Sequence, residues 1–269
     1  MPELPEMETY KKLLYEKIVG KTITNIIINR EKSINCRPDM FIKDILLQKV
    51  IRIDRRGKHL LFYLVNGRVL ILHLMLGGWM YYGTEEEKPN RTIQIQLSFG
   101  VENLYFIGLR LGYLHLYPIN EVDEALPNLG PEPLDINFTL PFFINYLHKK
   151  RGRLKTKLID QKFLSGIGNC YSDEICYHAQ LLPTRTLEDL TDIEKKQLYE
   201  SIQFILRKAI QYGGYMNHAF YHDDRLTGGF DNKCKVYDRE GELCERCGSE
   251  IIKKMISSRK TFYCPHCQF

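Results

Sequence analysis

Two cysteine pairs close the chain: Cys244-Glu-Arg-Cys247 and, sixteen residues further on, Cys264-Pro-His-Cys267. Two C-x2-C knuckles at this separation suit one tetrahedral Zn²⁺ held by four thiolates, because each pair can wrap one edge of the metal. Two disulfides would need an oxidising compartment, and the N-terminus has none of the basic and apolar segments of a secretion signal. A closed shell of four cysteines performs no chemistry of its own, so the tail is expected to be a scaffold. Its inner loop carries Lys253, Lys254, Arg259 and Lys260, with Arg259 near the tip of a predicted hairpin, a device for gripping phosphates. "VYDREGELC" and "KTFYC" read as strands leading into the knuckles. Cys36, Cys170, Cys176 and Cys234 fall outside the pattern and are read as packing residues.

Charge distribution points to the same partner class. The net charge of +5 is mild, but "RIDRRGKH" (52–59) holds four Lys or Arg against one acid, and "HKKRGRLKTKLIDQK" (148–162) holds seven against Asp160. Either run alone is as well explained by a solvated face. Together with a zinc ribbon they favour nucleic acid. No apolar run reaches membrane-spanning length, and a cytoplasmic location is expected.

Residues 22–117 alternate as short strands rich in Ile, Val, Leu and aromatics, with turns at "NG" (66–67) and "FG" (99–100), which predicts a sandwich or barrel. Residues 3–19 read as a helix before it. "LPNLGPEPLD" (126–135) is the predicted linker. After it the period turns helical, and Thr191 with Glu194 forms a predicted capping box for the last long helix. This divides the chain into domains 1–130, 131–235 and 236–269. Within the helical part, "SGIGN" (165–169) joins two helices by a glycine turn and puts Asn169 at the start of the second, as a cap or a phosphate donor.

The opening "MPELPEMET" raises a separate possibility. An initiator Met before Pro is expected to be removed, leaving Pro2 with a free secondary amine. An α-amino group titrates at about 7.7–8.0, so a usable fraction is unprotonated near neutrality. Such an amine can form an iminium with a carbonyl-like carbon.

"PELPE", "RRGKHLL", "DQKFLSGIGNCYSDE" and the terminal four-cysteine pattern resemble, in order and over essentially the whole chain, the formamidopyrimidine-DNA glycosylase and endonuclease VIII family. The resemblance implies an α+β multidomain protein: an N-terminal β-sandwich, a helix–two-turn–helix domain and a four-cysteine zinc finger with one structural Zn²⁺. It implies a monomer acting on damaged double-stranded DNA as a bifunctional glycosylase and AP lyase. By the same resemblance Pro2 is the nucleophile at C1′, Glu3 assists protonation and sugar opening, and Lys58 belongs with them. Glu6 and Glu174 would support the centre, the latter near the catalytic amine. Lys58, His73, Asn169 and Arg259 would hold phosphates, and Arg110 would read the orphaned base. A non-catalytic DNA-binding paralogue is the rival reading, and it leaves Pro2, Glu3 and Lys58 without a use.

The chain departs from its relatives at the probe that fills the space of the extruded base. Family members use Met, Arg and Phe. Here "HLMLGG" offers Leu76, or Met75 if the register shifts by one, and "IGLRLGYL" offers Arg110 and Leu111. The segment 213–233, which by resemblance surrounds the lesion, keeps its flanking glycines but has unusual contents.

Overall fold

The computed structural model describes residues 1–126 and 128–269. Pro127, inside the expected linker, lies outside the described residues. The chain forms two compact units: Met1–Pro127 with Tyr212–Gly229, and Asn128–Gln211 with Phe230–Phe269.

In the first unit, helix α1 (Leu4–Ile18) is followed by β1 (Asn25–Ile28), α2 (Pro38–Ile45), β2 (Val50–Arg56), β3 (His59–Leu64) and β4 (Arg68–His73). Strands β5 (Trp79–Gly83), β6 (Ile93–Phe99), β7 (Glu102–Ile107) and β8 (Tyr113–Pro118) and the short helix α3 (Val122–Ala125) complete it. The strands make two antiparallel four-stranded sheets, in the orders β2-β3-β4-β8 and β1-β6-β7-β5. One core holds alternate residues of both, such as Leu60, Phe62 and Leu72 from one and Leu97, Leu104 and Phe106 from the other. Period-two alternation explains why these positions point inward together. The unit is a sandwich. Helix α1 adds Met7, Tyr10, Leu14 and Ile18 to the same core.

The second unit holds α4 (Leu140–His148), α5 (Leu154–Leu158), α6 (Asn169–His178) and α7 (Asp192–Gln211), then the hairpin β9 (Ile252–Ile256) and β10 (Arg259–Tyr263). Helix α7 buries Leu198, Ile202, Ile205, Leu206 and Ala209, spaced to share one side. The predicted capping box is present: Thr191 N donates to Glu194 Oε2 at 2.7 Å, and Glu194 N donates to Thr191 Oγ1 at 3.3 Å.

The units differ from a division made in chain order. Segment 212–229 returns to the sandwich because Phe220 is a core residue there. Its ring packs with Tyr10 and Tyr82, and Tyr82 N donates to Phe220 O at 2.6 Å. The finger shares a core with α6, where Tyr177 packs among Val236, Phe262 and the cysteines. Only "KTFYC" enters a strand; the stretch through "VYDREGELC" makes turns, with one isolated bridge between Leu243 and Glu250. Cys170, Cys176 and Cys234 are buried, whereas Cys36, expected to pack with them, is exposed.

Candidate active site and metal centre

In the first unit the acidic residues of the opening motif have distinct jobs. Pro2, Glu3 and Glu6 are buried at the start of α1. Glu6 Oε2 accepts from Glu3 N at 2.8 Å and Oε1 from Tyr215 N at 2.8 Å, so one carboxylate ties the N-terminus to segment 212–229. Gly214 allows the approach: its φ is +75°, and a Cβ there would lie 2.2 Å from Glu6 Oε1. Glu8 instead accepts from Arg55 Nε at 2.7 Å, while Arg55 also donates to Gly57 O at 3.0 Å. Burial pushes the Glu8 carboxyl up, but the Arg55 hydrogen bond and charge outweigh it and hold it below its ordinary value. This pair docks the β2–β3 turn, which carries the buried Lys58, onto α1, the helix that follows Pro2 and Glu3.

His59 follows Lys58 and stands opposite His73 in the β3–β4 register, the two rings stacked with centroids 4.3 Å apart. Burial, chiefly, pulls His59 down to about 4 and His73 to about 3, helped by the nearby charge of Lys58. Both imidazoles are therefore neutral at pH 7.

The chain then enters two loops. Leu76 is 68% exposed and Leu111 64%, with Arg110 exposed beside it, whereas Met75 is half-buried. Leu76, not Met75, is the projecting side chain. The loops are fixed by backbone contact: Gly108 has φ +72°, and a Cβ on it would lie 2.1 Å from Gly77 O. Leu109 is buried, its N donating to Gln94 Oε1 at 3.1 Å and its O accepting from Ser33 Oγ at 3.3 Å. Rigid backbone thus presents two leucines and one arginine to solvent. Segment 212–229 is also ordered, with His218 stacked on Trp79 at 4.8 Å and Asp224 accepting from the N–H groups of Phe220, Leu226 and Thr227.

In the second unit Asn169 does not cap α6. Gly168 holds the cap position, and Asn169 Nδ2 donates to Lys260 O at 2.8 Å, which links the helix start to the finger hairpin. Arg259 is exposed at the head of β10, after Ser257 and Ser258 at φ +48° and +61°. Two left-handed residues in succession are what a tight two-residue hairpin turn requires. Ser257 Oγ and Thr156 Oγ1 lie 3.0 Å apart, anchoring that turn to α5.

Glu174 is buried in this unit and accepts from the backbone N–H groups of Lys235, Val236 and Tyr237 at 2.9–3.0 Å. Burial raises its carboxyl above the ordinary range, while the amides oppose that rise. Its visible work is to hold the chain entering the finger.

Sequence reasoning missed one pair. Lys155, within the run read as a basic face, is fully buried and donates to Asp173 Oδ1 at 2.7 Å, Ser172 Oγ at 2.8 Å and Asn169 O at 2.9 Å. Asp173 Oδ2 accepts from Phe262 N at 3.1 Å. Burial pushes Asp173 up to about 7 against the pull of Lys155. The pair fastens α5, α6 and β10 together, and with them Asn169 and Arg259. The spacing of Leu154 and Leu158 marks one buried face of α5, and nothing local marks Lys155 as buried too.

The four cysteine sulfurs all lie within 4.8 Å of one another, with Cys244–Cys267 at 3.8 Å and Cys247–Cys264 at 3.5 Å. Zn–S bonds of about 2.3 Å in a tetrahedron put sulfurs roughly 3.8 Å apart, so the donor set fits one Zn²⁺. Tyr177 Oη lies 3.3 Å from Cys244 Sγ and can donate to it as a thiolate.

Comparison with known proteins agrees along the whole chain. Residues 1–113 match the formamidopyrimidine-DNA glycosylase N-terminal domain, 129–220 its H2TH domain, and 241–268 the zinc finger found in FPG and IleRS. The formamidopyrimidine-DNA glycosylase of Pelotomaculum thermopropionicum is 35% identical, covering 100% of this chain and 99% of its own. The chain belongs to the formamidopyrimidine-DNA glycosylase family. The Carboxydothermus hydrogenoformans glycosylase is 34% identical over the full length of both. Among solved structures, the Lactococcus lactis Fpg in complex with abasic-site DNA superposes with a TM-score of 0.92 at 31% identity, covering 99% of each chain. The same glycosylase with DNA containing N7-benzyl-Fapy-dG gives 0.91, again at 31% identity and 99% coverage. Membership in this glycosylase family accounts for the sandwich, the helix–two-turn–helix unit and the structural zinc site.

Proposed function

We infer that this chain is a base-excision-repair DNA glycosylase and AP lyase that uses its own N-terminus as the nucleophile. The observation that carries the reading is the opening motif: Pro2 and Glu3 are buried at the head of α1, and Glu6 pins that head to segment 212–229. A chain that only bound DNA would have no use for a terminus held so firmly.

The chemistry follows from the residues. Removal of Met1 frees the Pro2 secondary amine. Its lone pair attacks C1′ of the damaged nucleotide, and the C1′–N bond electrons leave with the base, which takes up a proton. Glu3 delivers a proton to the ring oxygen, so the sugar opens and nitrogen shares its pair with C1′ as an iminium. The iminium acidifies the C2′ proton; its loss pushes electrons into a C2′–C3′ double bond and expels the 3′ phosphate. Lys58, His73, Asn169 and Arg259 hold phosphates around the extruded nucleotide, with Lys58 and Arg259 supplying charge and His73 a neutral N–H. Extrusion costs a few kcal/mol, which several phosphate contacts must offset. Glu6 and Glu174 act as positioning residues. We place the enzyme as a monomer in the cytoplasm, on damaged duplex DNA. Among the described residues no helix is long and apolar enough to cross a membrane.

Leu76 and Leu111 form the wedge, and Arg110 meets the orphaned base with its planar fork. A leucine recovers less stacking than an aromatic ring, so lesions that already loosen the duplex are the preferred substrates. Single-turnover cleavage of duplexes bearing formamidopyrimidine, 8-oxoguanine opposite cytosine, or an abasic site tests this. Formamidopyrimidine and abasic sites should react faster than 8-oxoguanine, and Glu3→Gln should lose base excision while keeping more abasic-site cleavage. Absence of cleavage on all three would overturn the enzymatic reading. Equal rates on all three would overturn the wedge.

A further inference from the structure

A cavity of about 280 Å³ opens in the second unit between α6, α7 and the chain entering the finger, and it contains neither the phosphate contacts nor the nucleophile. Its walls are two cation–aromatic pairs. On one, His178 stacks on Phe204 at 4.6 Å and Lys208 Nζ lies 5.3 Å from the Phe204 ring centre. On the other, the Arg246 guanidinium lies 4.3 Å from the Tyr177 ring centre and donates to Tyr177 O at 3.2 Å. Buried Phe230, Lys233 and Lys235 also line the cavity.

Two carboxylates also line the cavity, but both are already engaged. Glu174 accepts three backbone N–H groups, and Glu245 pairs with Lys235 and Arg239. Lys208, by contrast, has no carboxylate within ion-pair distance among the described residues. The result is an apolar slot with a cationic mouth.

We propose that this cavity binds a mononucleotide, with the base in the aromatic slot and the phosphate on Lys208 and Arg246. A cation held against a ring keeps its outer N–H donors for an anion, and arginine's fork matches phosphate geometry. A flat base gains from stacking on the His178–Phe204 wall whatever its identity. The proposal does not rest on the repair reading, since none of these side chains touches the reaction.

The test is a titration of the zinc-loaded, full-length protein, followed by amide NMR, with 2′-deoxyadenosine 5′-monophosphate, orthophosphate and 2′-deoxyadenosine as separate probes. The nucleotide should shift the amides of 204–208 and 245–246 saturably, at least tenfold more tightly than orthophosphate, and the nucleoside should not saturate. Lys208→Glu should weaken the nucleotide at least tenfold with zinc content and abasic-site cleavage unchanged. Phe204→Ala should weaken the nucleotide several-fold and leave orthophosphate where it was. Shifts confined to the surroundings of Lys58, His73, Asn169 and Arg259, or equal binding by wild type and Lys208→Glu, would overturn the site. Equal affinity for nucleotide and orthophosphate would overturn the role of the aromatic slot.

Discussion

The two units aim exposed groups by opposite means. In the sandwich, Leu76, Arg110 and Leu111 stand on loops locked by backbone against backbone, where no side chain intervenes between Gly108 and Gly77. In the helical unit, Arg259 stands on a hairpin held by a buried ion pair, an asparagine amide, a serine–threonine contact and a metal site. The first arrangement tolerates loss of charge and is vulnerable to one extra methyl group. The second is the reverse. The probe of a base step needs fixed shape, whereas a phosphate contact needs a fixed charge on a reach that the finger can supply.

The largest expected effect falls on the finger. Structural zinc contributes about 10–16 kcal/mol in small finger domains, so Cys264→Ser should release the metal and unfold the hairpin. Trp79, the single tryptophan, lies in the sandwich and reports that unit alone. Its fluorescence transition in urea should be unchanged in Cys264→Ser, while bound zinc by mass spectrometry falls to zero. A matching shift of the Trp79 transition would show the two units to be coupled.

Next comes the buried pair. Asp173→Asn leaves the Lys155 ammonium fully buried without a counter-charge, and breaking such a pair costs about 3–5 kcal/mol. Far-ultraviolet circular dichroism should show the helical transition moving to lower urea, with Trp79 again unaffected. Replacing both partners, as Lys155→Met with Asp173→Leu, should recover much of the loss. If the double variant is as unstable as the single one, the network's hydrogen bonds matter more than its charge balance.

Gly108→Ala adds a strained left-handed residue, about 1–3 kcal/mol, and sets a Cβ against the Gly77 carbonyl, so it should displace the probe. Excision of a base should fall at least tenfold while abasic-site cleavage falls less, because no stacked base remains to be replaced. Equal losses on both would mean that the loops shape the fold and not the probe.

The sandwich also carries a pH dependence. His59 and His73 titrate at about 4 and about 3 in the folded sandwich, and near 6.5 when unfolded. The unfolded chain binds more protons between those values, so stability must fall as pH drops from about 6.5 toward 3. His59→Phe with His73→Phe should flatten that fall in the Trp79 melting profile. An unchanged slope would place the titration elsewhere.

Legibility in the sequence followed the same divide. Features with a period or a fixed spacing were readable: the alternating strands, the α7 capping box and the four cysteines. What long-range packing decides was not. Strand β5, "WMYYG", lacks alternation because Met80 and Tyr82 serve the main core while Tyr81 is buried on the outer face. Phe220 looks like any loop aromatic until its place beside Tyr10 is known, and with it the return of 212–229 to the sandwich. Lys155 was hidden by its own basic neighbours, since nothing local marks which lysine of five meets Asp173. The opening acids were visible, but their separate partners, Tyr215 for Glu6 and Arg55 for Glu8, were not.

The measurement that goes straight to the nucleophile is borohydride trapping on abasic-site DNA followed by peptide mapping of the adduct. With Met1 removed, the covalent mass should map to Pro2, and an added N-terminal residue should abolish trapping while DNA binding survives. An adduct on Lys58 or any other lysine, or normal trapping with the terminus blocked, would contradict the account.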